Sequence, residues 1–219
     1  GISEYAPGAE VVANGRIWSS EGLAFYPKQF MPERWYVACR ECFHVDVADT
    51  KEELPPACSN CGSSDARMKR MFIEPKGFVT SYANRKGRDP GTSRRRVKPA
   101  DEARLIASPR EDQFEETGLP FLSTSVLRAN GAGESGLRGT MFIANRGSFG
   151  DGYLRCGLCN YTIAKPPAAR PAAGARGAAA PNARRFPHKD PMTGSTCRND
   201  ALAFPLDLVH QFDTDVRIY

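Results

Sequence analysis

Short apolar stretches broken by turn residues recur along the whole chain. Val11-Val12-Ala13 and Arg16-Ile17-Trp18 flank Asn14-Gly15, a dipeptide that accepts the positive φ angles of a type I′ hairpin turn. Ser19 to Gly22 reads as a second turn, and Leu23 to Tyr26 as a third strand stopped by Pro27. Arg34 to Ala38 is the next strand. Phe43 to Val47 alternates, Lys51 to Leu54 suits one helical turn closed by Pro55-Pro56, and Arg67 to Ile73 returns as a strand that continues toward Phe78-Val79. Ser108-Pro109-Arg110-Glu111 carries a capping box, which predicts a helix to about Thr117 ahead of Gly118 and Pro120. Phe121 to Arg128 and Arg138 to Ala144 are strand-like and flank a glycine-rich loop. Phe212, Thr214, Val216 and Ile218 alternate with polar residues in a half-buried strand, and a strand ending in mid-pattern is expected of a piece of a longer polypeptide. The expected fold is mainly β with minor α, in small antiparallel sheets.

Sheets this small need a staple, and the cysteines provide the pattern for one. Cys39, Cys42, Cys58 and Cys61 are spaced C-x2-C-x15-C-x2-C, the spacing of a four-thiolate zinc ribbon. Each C-x-x-C turn aims two sulfurs at one point, and two turns close a tetrahedron with no position left for water or substrate. Paired redox dithiols and a disulfide framework are the rivals, but no βαβ pattern surrounds Cys39. Cys156 and Cys159 form a third pair, and His188 with Cys197 would complete a Cys3His set. His44 and His210 are the other candidate fourth ligands; His44 lies too close to the first pair, and His210 is thirteen residues beyond Cys197. Two structural zinc ions are therefore expected, with metal ligation supplying much of the stability.

The 219 residues carry a net charge of +5, and the basic residues are unevenly placed. Arg85, Lys86, Arg88, Arg94, Arg95, Arg96 and Lys98 fall within residues 84–98 against one acid, Asp89. Gly87, Pro90 and Gly91 exclude a regular helix there, so the stretch reads as a flexible basic loop, either simply solvated or in contact with nucleic-acid phosphate. Phe78 and Tyr82 just ahead of it suit either base stacking or the core. Residues 166–185, rich in Ala, Pro, Gly and Arg, are expected to be a disordered insertion. No run approaches the roughly 18 apolar residues of a membrane span. No signal peptide is evident at Gly1 to Glu10, and the paired cysteines suit a cytoplasmic metalloprotein. Two motif matches are rejected. Asp101-Glu102-Ala103-Arg104 follows a basic stretch where an ATPase would have an apolar strand. Gly131 to Gly136 fits G-x-G-x-x-G but precedes a strand, not a helix.

Ile2-Ser3-Glu4-Tyr5-Ala6-Pro7-Gly8-Ala9-Glu10-Val11-Val12 with Asn14-Gly15, Phe72-Ile73-Glu74-Pro75-Lys76-Gly77-Phe78, Cys156-x-x-Cys159, His188-x-Asp190-Pro191 with Gly194 and Cys197, and Phe212-x-Thr214-Asp215-Val216 run over most of the chain. Together they resemble the helicase-associated zinc-cysteine region that follows the motor lobes of DEAD/DEAH-box superfamily-two helicases. A similar region occurs in the B subunit of the DISARM phage-defence system. The resemblance implies an accessory module of a DNA-translocating ATPase, partnered with a motor in the same chain or in a separate subunit. The chain itself has no G-x-x-x-x-G-K-[ST] phosphate loop.

The expected layout is an opening β-hairpin region (1–38), a zinc ribbon (39–80), a basic loop with a short helix (81–120), and a second zinc-binding β module (121–219). A DNA-binding or scaffolding region with two structural zinc ions is the leading expectation. A protein-interaction subunit that does not touch nucleic acid is the second. A metal-dependent nuclease built on Asp213 and Asp215 near His210 is the third, although alternating carboxylates on an exposed strand are ordinarily just solvated.

Overall fold

The computed structural model describes residues 2–24, 31–64, 68–91, 101–106, 114–115, 126–127, 137–166, 187–202 and 204–216; at 84, 101–106, 114–115, 126–127, 137–140 and 213–216 only the backbone is described. A one-turn helix α1 (Ile2–Tyr5) precedes β1 (Glu10–Ala13) and β2 (Arg16–Leu23). Asn14 and Gly15, at φ 51° and 69°, make the predicted hairpin turn between them. The turn expected at Ser19 to Gly22 is instead a β-bulge inside β2: Ser20 pairs with Thr80 and Gly22 with Val79, leaving Glu21 as the extra residue. Gly22 meets a different need from a turn. A Cβ there would lie 2.8 Å from the Asn160 carbonyl oxygen and 3.0 Å from Pro191 Cγ, so only glycine lets that chain approach.

β3 (Arg34–Ala38), β4 (Val45–Ala48) and β5 (Arg70–Ile73) follow as predicted. Lys51 to Leu54 is not a helical turn. The Thr50 amide donates to the Glu53 carboxylate, and the Lys69 ammonium donates to the carbonyls of Lys51 and Leu54. β5 does not run on into Phe78. The chain breaks at 74–77, where Pro75 has no amide to donate, and β6 (Phe78–Thr80) joins β2 in another sheet. A 3-10 turn (Tyr82–Asn84) ends that sheet.

The remaining strands are β7 (Asp101–Ile106), β8 (Phe114–Glu115), β9 (Val126–Leu127), β10 (Leu137–Asn145), β11 (Tyr153–Arg155), β12 (Thr162–Ala164) and β13 (Asp207–Val216). The helix predicted to reach Thr117 is contradicted at Phe114–Glu115, where an interstrand ladder with Val126–Leu127 takes the place of helical bonding. Its cap, Ser108 to Glu111, lies outside the described residues, as do 131–136 and 167–186. Described strand within Phe121 to Arg128 is confined to Val126–Leu127.

The sheets are β1-β2-β6, β4-β3-β5-β13-β10-β7, β11-β12 and β8-β9. The fold is thus mainly β, in small sheets. The six-stranded sheet joins strands from 34–73 to strands from 101–216, and its β5–β13 pair is parallel. Both of its faces carry core. On one, Ile73 and Leu208 pack with Ile2, Ala6, Leu23, Tyr153 and Leu206, which seats α1, β2 and β11 against the sheet. On the other, Tyr36, Phe72 and Phe142 meet at centroid distances of 5.0–5.7 Å beside Val45, Ala144 and Val209.

This second face also holds a buried charge. Asp207 accepts from the Tyr36 hydroxyl at 2.7 Å and from Arg70 Nε and Nη2 at 2.5 and 2.6 Å, with Arg146 Nε 3.9 Å away. The cluster binds β3, which enters the first cysteine pair, to β5, which leaves the second, and to β13.

Candidate metal centres

The three C-x-x-C turns share one backbone design. The amide of the first cysteine donates to the carbonyl five residues on: Cys39 to His44, Cys58 to Ser63 and Cys156 to Tyr161, each at 2.8 Å. The residue after the second cysteine turns left-handed, with Phe43 at φ 62°, Gly62 at 72° and Asn160 at 56°. Glycine and asparagine take that angle readily, whereas a phenylalanine pays about 1–2 kcal/mol for it. Phe43 is nonetheless 63% exposed.

These turns bring the sulfurs together. None of the seven cysteines is in a disulfide. In the first set Cys39 Sγ lies 3.6 Å from Cys61 Sγ, and Cys42 Sγ 3.5 Å from Cys58 Sγ. In the second, Cys156 Sγ lies 3.8 Å from Cys197 Sγ, and Cys159 Sγ 3.2 Å from His188 Nε2. Within each set all four ligand atoms fall within 4.8 Å of one another. A tetrahedron with metal–sulfur bonds near 2.3 Å has edges of about 3.8 Å, so both sets fit a metal ion of that size. Each set has four protein ligands, the closed arrangement of a structural site.

His188 and Cys197 meet because a fourth turn of the same design joins them, without cysteines of its own. Asp190 N donates to the Ser195 carbonyl at 2.9 Å, Gly194 N to the Asp190 carbonyl at 2.8 Å, and Gly194 stands at φ 73°. The Asp190 carboxylate accepts from the Met192 amide at 2.7 Å, much as Cys156 Sγ accepts from the Leu158 amide at 3.4 Å. The Cys197 amide then closes on the His188 carbonyl at 3.0 Å. His188 is buried, its ring stacked on Tyr161 at 4.8 Å. The other two histidines are elsewhere. His44 Nε2 lies 3.0 Å from Ser59 Oγ, which donates to Asp46, and His210 is exposed beside Phe212.

Asn199 supports the second set and was not singled out from the sequence. Its amide reaches Cys197 Sγ at 3.5 Å and its Nδ2 reaches Cys156 Sγ at 3.6 Å. Such N–H donors stabilise thiolate ligands; the spacing Cys197-x-Asn199 was the only local sign of it.

The thiols divide unequally. Burial works upward on Cys42 but is outweighed by hydrogen bonds from the Asn60 side chain, the His44 backbone, Cys61 and Cys58, which bring it to about 6. At Cys61 the Ser63 backbone works downward, yet the neighbouring Cys42, Cys39 and Cys58 thiols push it up to about 12. Burial likewise works upward on Cys156, but backbone bonds from Cys159 and Leu158 with the His188 and Cys159 side chains outweigh it and bring it to about 7. Burial with the Cys156 and Cys197 thiols pushes Cys159 up to about 12. Four sulfurs this close cannot all carry charge unless a cation balances them.

The predicted basic residues divide as well. Arg85 and Lys86 are exposed. Arg85 lies over the Tyr82 ring at 3.7 Å from its centroid. Arg88 is bound to Glu10 at 2.5 Å and exchanges backbone bonds with Ile17, so it is largely committed within the fold. Arg94, Arg95, Arg96 and Lys98 lie outside the described residues. Phe78 packs against the core. No helix among the described residues is long and apolar enough to cross a membrane. No family model, curated protein or solved structure matches the chain, so the case for two metal centres rests on the ligand geometry itself.

Proposed function

We propose that this chain is a non-catalytic, zinc-stabilised region that binds nucleic acid or scaffolds a complex, in or beside a superfamily-two DNA helicase acting in phage defence or DNA repair. Thiolate-rich tetrahedral sets favour zinc among the common divalent metals. The two centres would hold the knuckles rigid, and their closed ligand sets leave the chemistry to the partner motor. The association with a helicase rests on the sequence resemblance alone.

The observation that carries nucleic-acid binding is the pair Arg85-Lys86. Both are exposed on a segment that Arg88 ties to Ile17 of β2, and both precede Arg94-Arg95-Arg96 in the chain. Replacing Arg94, Arg95 and Arg96 with alanine should weaken binding to duplex DNA and lower the slope of log K against log salt by about 2.7, at about 0.9 per lost phosphate contact. Fluorescence anisotropy at several salt concentrations measures both. An unchanged affinity and slope would exclude phosphate contact by these arginines.

One feature favours the second reading, a docking subunit for another protein. Phe43 and Leu158 stand 63% and 68% exposed at the tips of their knuckles. Absence of any DNA binding at low salt would favour that reading over the first.

A further inference from the structure

The second centre and the basic segment are joined by one side chain. The turn between His188 and Cys197 has few buried residues of its own; His188 and Pro191 are the ones shielded from solvent. It is seated on β2 through one glycine and on the 3-10 turn through another. Pro191 fits over Gly22, and Gly194 lies so near Tyr82 that a Cβ on it would fall 2.6 Å from Cε1 of the ring. The same ring carries the Arg85 guanidinium, and Arg85 Nη2 donates to the Met192 carbonyl at 3.4 Å. Tyr82 therefore touches the ligand-bearing turn and the first cation of the basic segment together. With its ring engaged in this way, it serves the protein as a latch better than as a platform for a base.

We infer that the second metal centre sets the position of the exposed pair Arg85-Lys86, with Tyr82 as the positioning residue, so that nucleic-acid affinity depends on loading of that centre. This rests on the nucleic-acid reading proposed above. The physical reason is that a turn with so little core is held by its ligands. Loss of ligation at His188 and Cys197 frees Gly194 and Met192, and Tyr82 and Arg85 lose the surface against which they are ordered. Both draw these contacts from the second centre. Arg88 stays tied to Glu10 and Ile17 in either case, so the release is confined to the Tyr82–Arg85 side.

The test uses the full chain with two variants. Cys197→Ser removes a ligand. Tyr82→Ala removes the latch at an exposed position that ligates nothing, so it reports even if the first variant folds poorly. Three quantities are read: bound zinc by elemental analysis, the rate of trypsin cleavage after Arg85 mapped by mass, and affinity for labelled DNA. Tyr82→Ala should keep the wild-type zinc content, yet be cleaved after Arg85 about five- to tenfold faster and bind DNA weaker by a similar factor, the scale of one cation–π contact and one hydrogen bond. Cys197→Ser should show the same two changes with less zinc, and the double variant should bind DNA no more weakly than either single one. Wild-type cleavage and affinity in Tyr82→Ala would overturn the latch. If the wild-type chain binds no DNA, the nucleic-acid reading fails; the cleavage rates then decide the latch alone, faster cleavage in both variants upholding it and unchanged cleavage overturning it.

Discussion

Replacing Asp207 with asparagine tests whether the buried charge cluster holds the two metal-bearing halves together. The carboxylate is wholly buried and accepts from Tyr36 and from two nitrogens of Arg70. Asparagine keeps the shape but leaves Arg70 without its counter-charge, and its Nδ2 must face a donor. Removing one partner of a buried pair costs about 3–5 kcal/mol. The Arg70 side chain keeps 16% of its surface in solvent, which places the expectation at the low end, about 3 kcal/mol. With a urea slope of about 2.5 kcal/mol per molar, the unfolding midpoint should fall by about 1.2 M. The measurement is urea unfolding followed by circular dichroism, with zinc saturating in both proteins so that metal loss does not contribute. Asp49→Asn is the internal control: its pair with Arg34 at 2.9 Å is 80% exposed on the Asp49 side and should cost less than about 1 kcal/mol. Equal midpoints for the two variants would refute the reasoning, because they would mean that Asp207 is no more costly to neutralise than a surface carboxylate.

Two further outcomes are expected. Elemental analysis should return about two zinc ions per chain, and a strong chelator or falling pH should remove them with loss of ordered structure, since protons compete for the thiolates; a metal-free protein that stays ordered would refute both centres. The Tyr36 hydroxyl is held well above its ordinary 10.0 by burial first and by Asp207 second, against an opposing effect of Arg146. Below pH 10 its contribution is intact. Above pH 10 the unfolded tyrosine ionises while the folded one keeps its proton, so stability is lost as pH rises. Tyr36→Phe should remove that part of the alkaline loss and cost about 1–2 kcal/mol at neutral pH, read from urea midpoints at pH 8 and pH 11.

What the sequence determined by itself is local. The Asn14-Gly15 hairpin turn and the knuckle turns at Cys58 and Cys156 depend on hydrogen bonds that close within about six residues, where glycine and asparagine accept the left-handed φ directly. Ligand number pointed to His188 and Cys197, and the Asp190-to-Ser195 turn brings them together by equally local bonds. Distant partners decided the rest. Gly22 read as a turn because nothing near it announces Pro191 and Asn160 pressing on its face. Arg70 and Asp207, 137 residues apart, look like ordinary surface charges until β5 and β13 pair in parallel and bury them. Nothing near Arg88 in the sequence announces its ion pair with Glu10. Turn geometry is set by the dihedral limits of neighbouring residues, whereas desolvating a charge or choosing a sheet partner depends on which distant segment the whole chain brings against it.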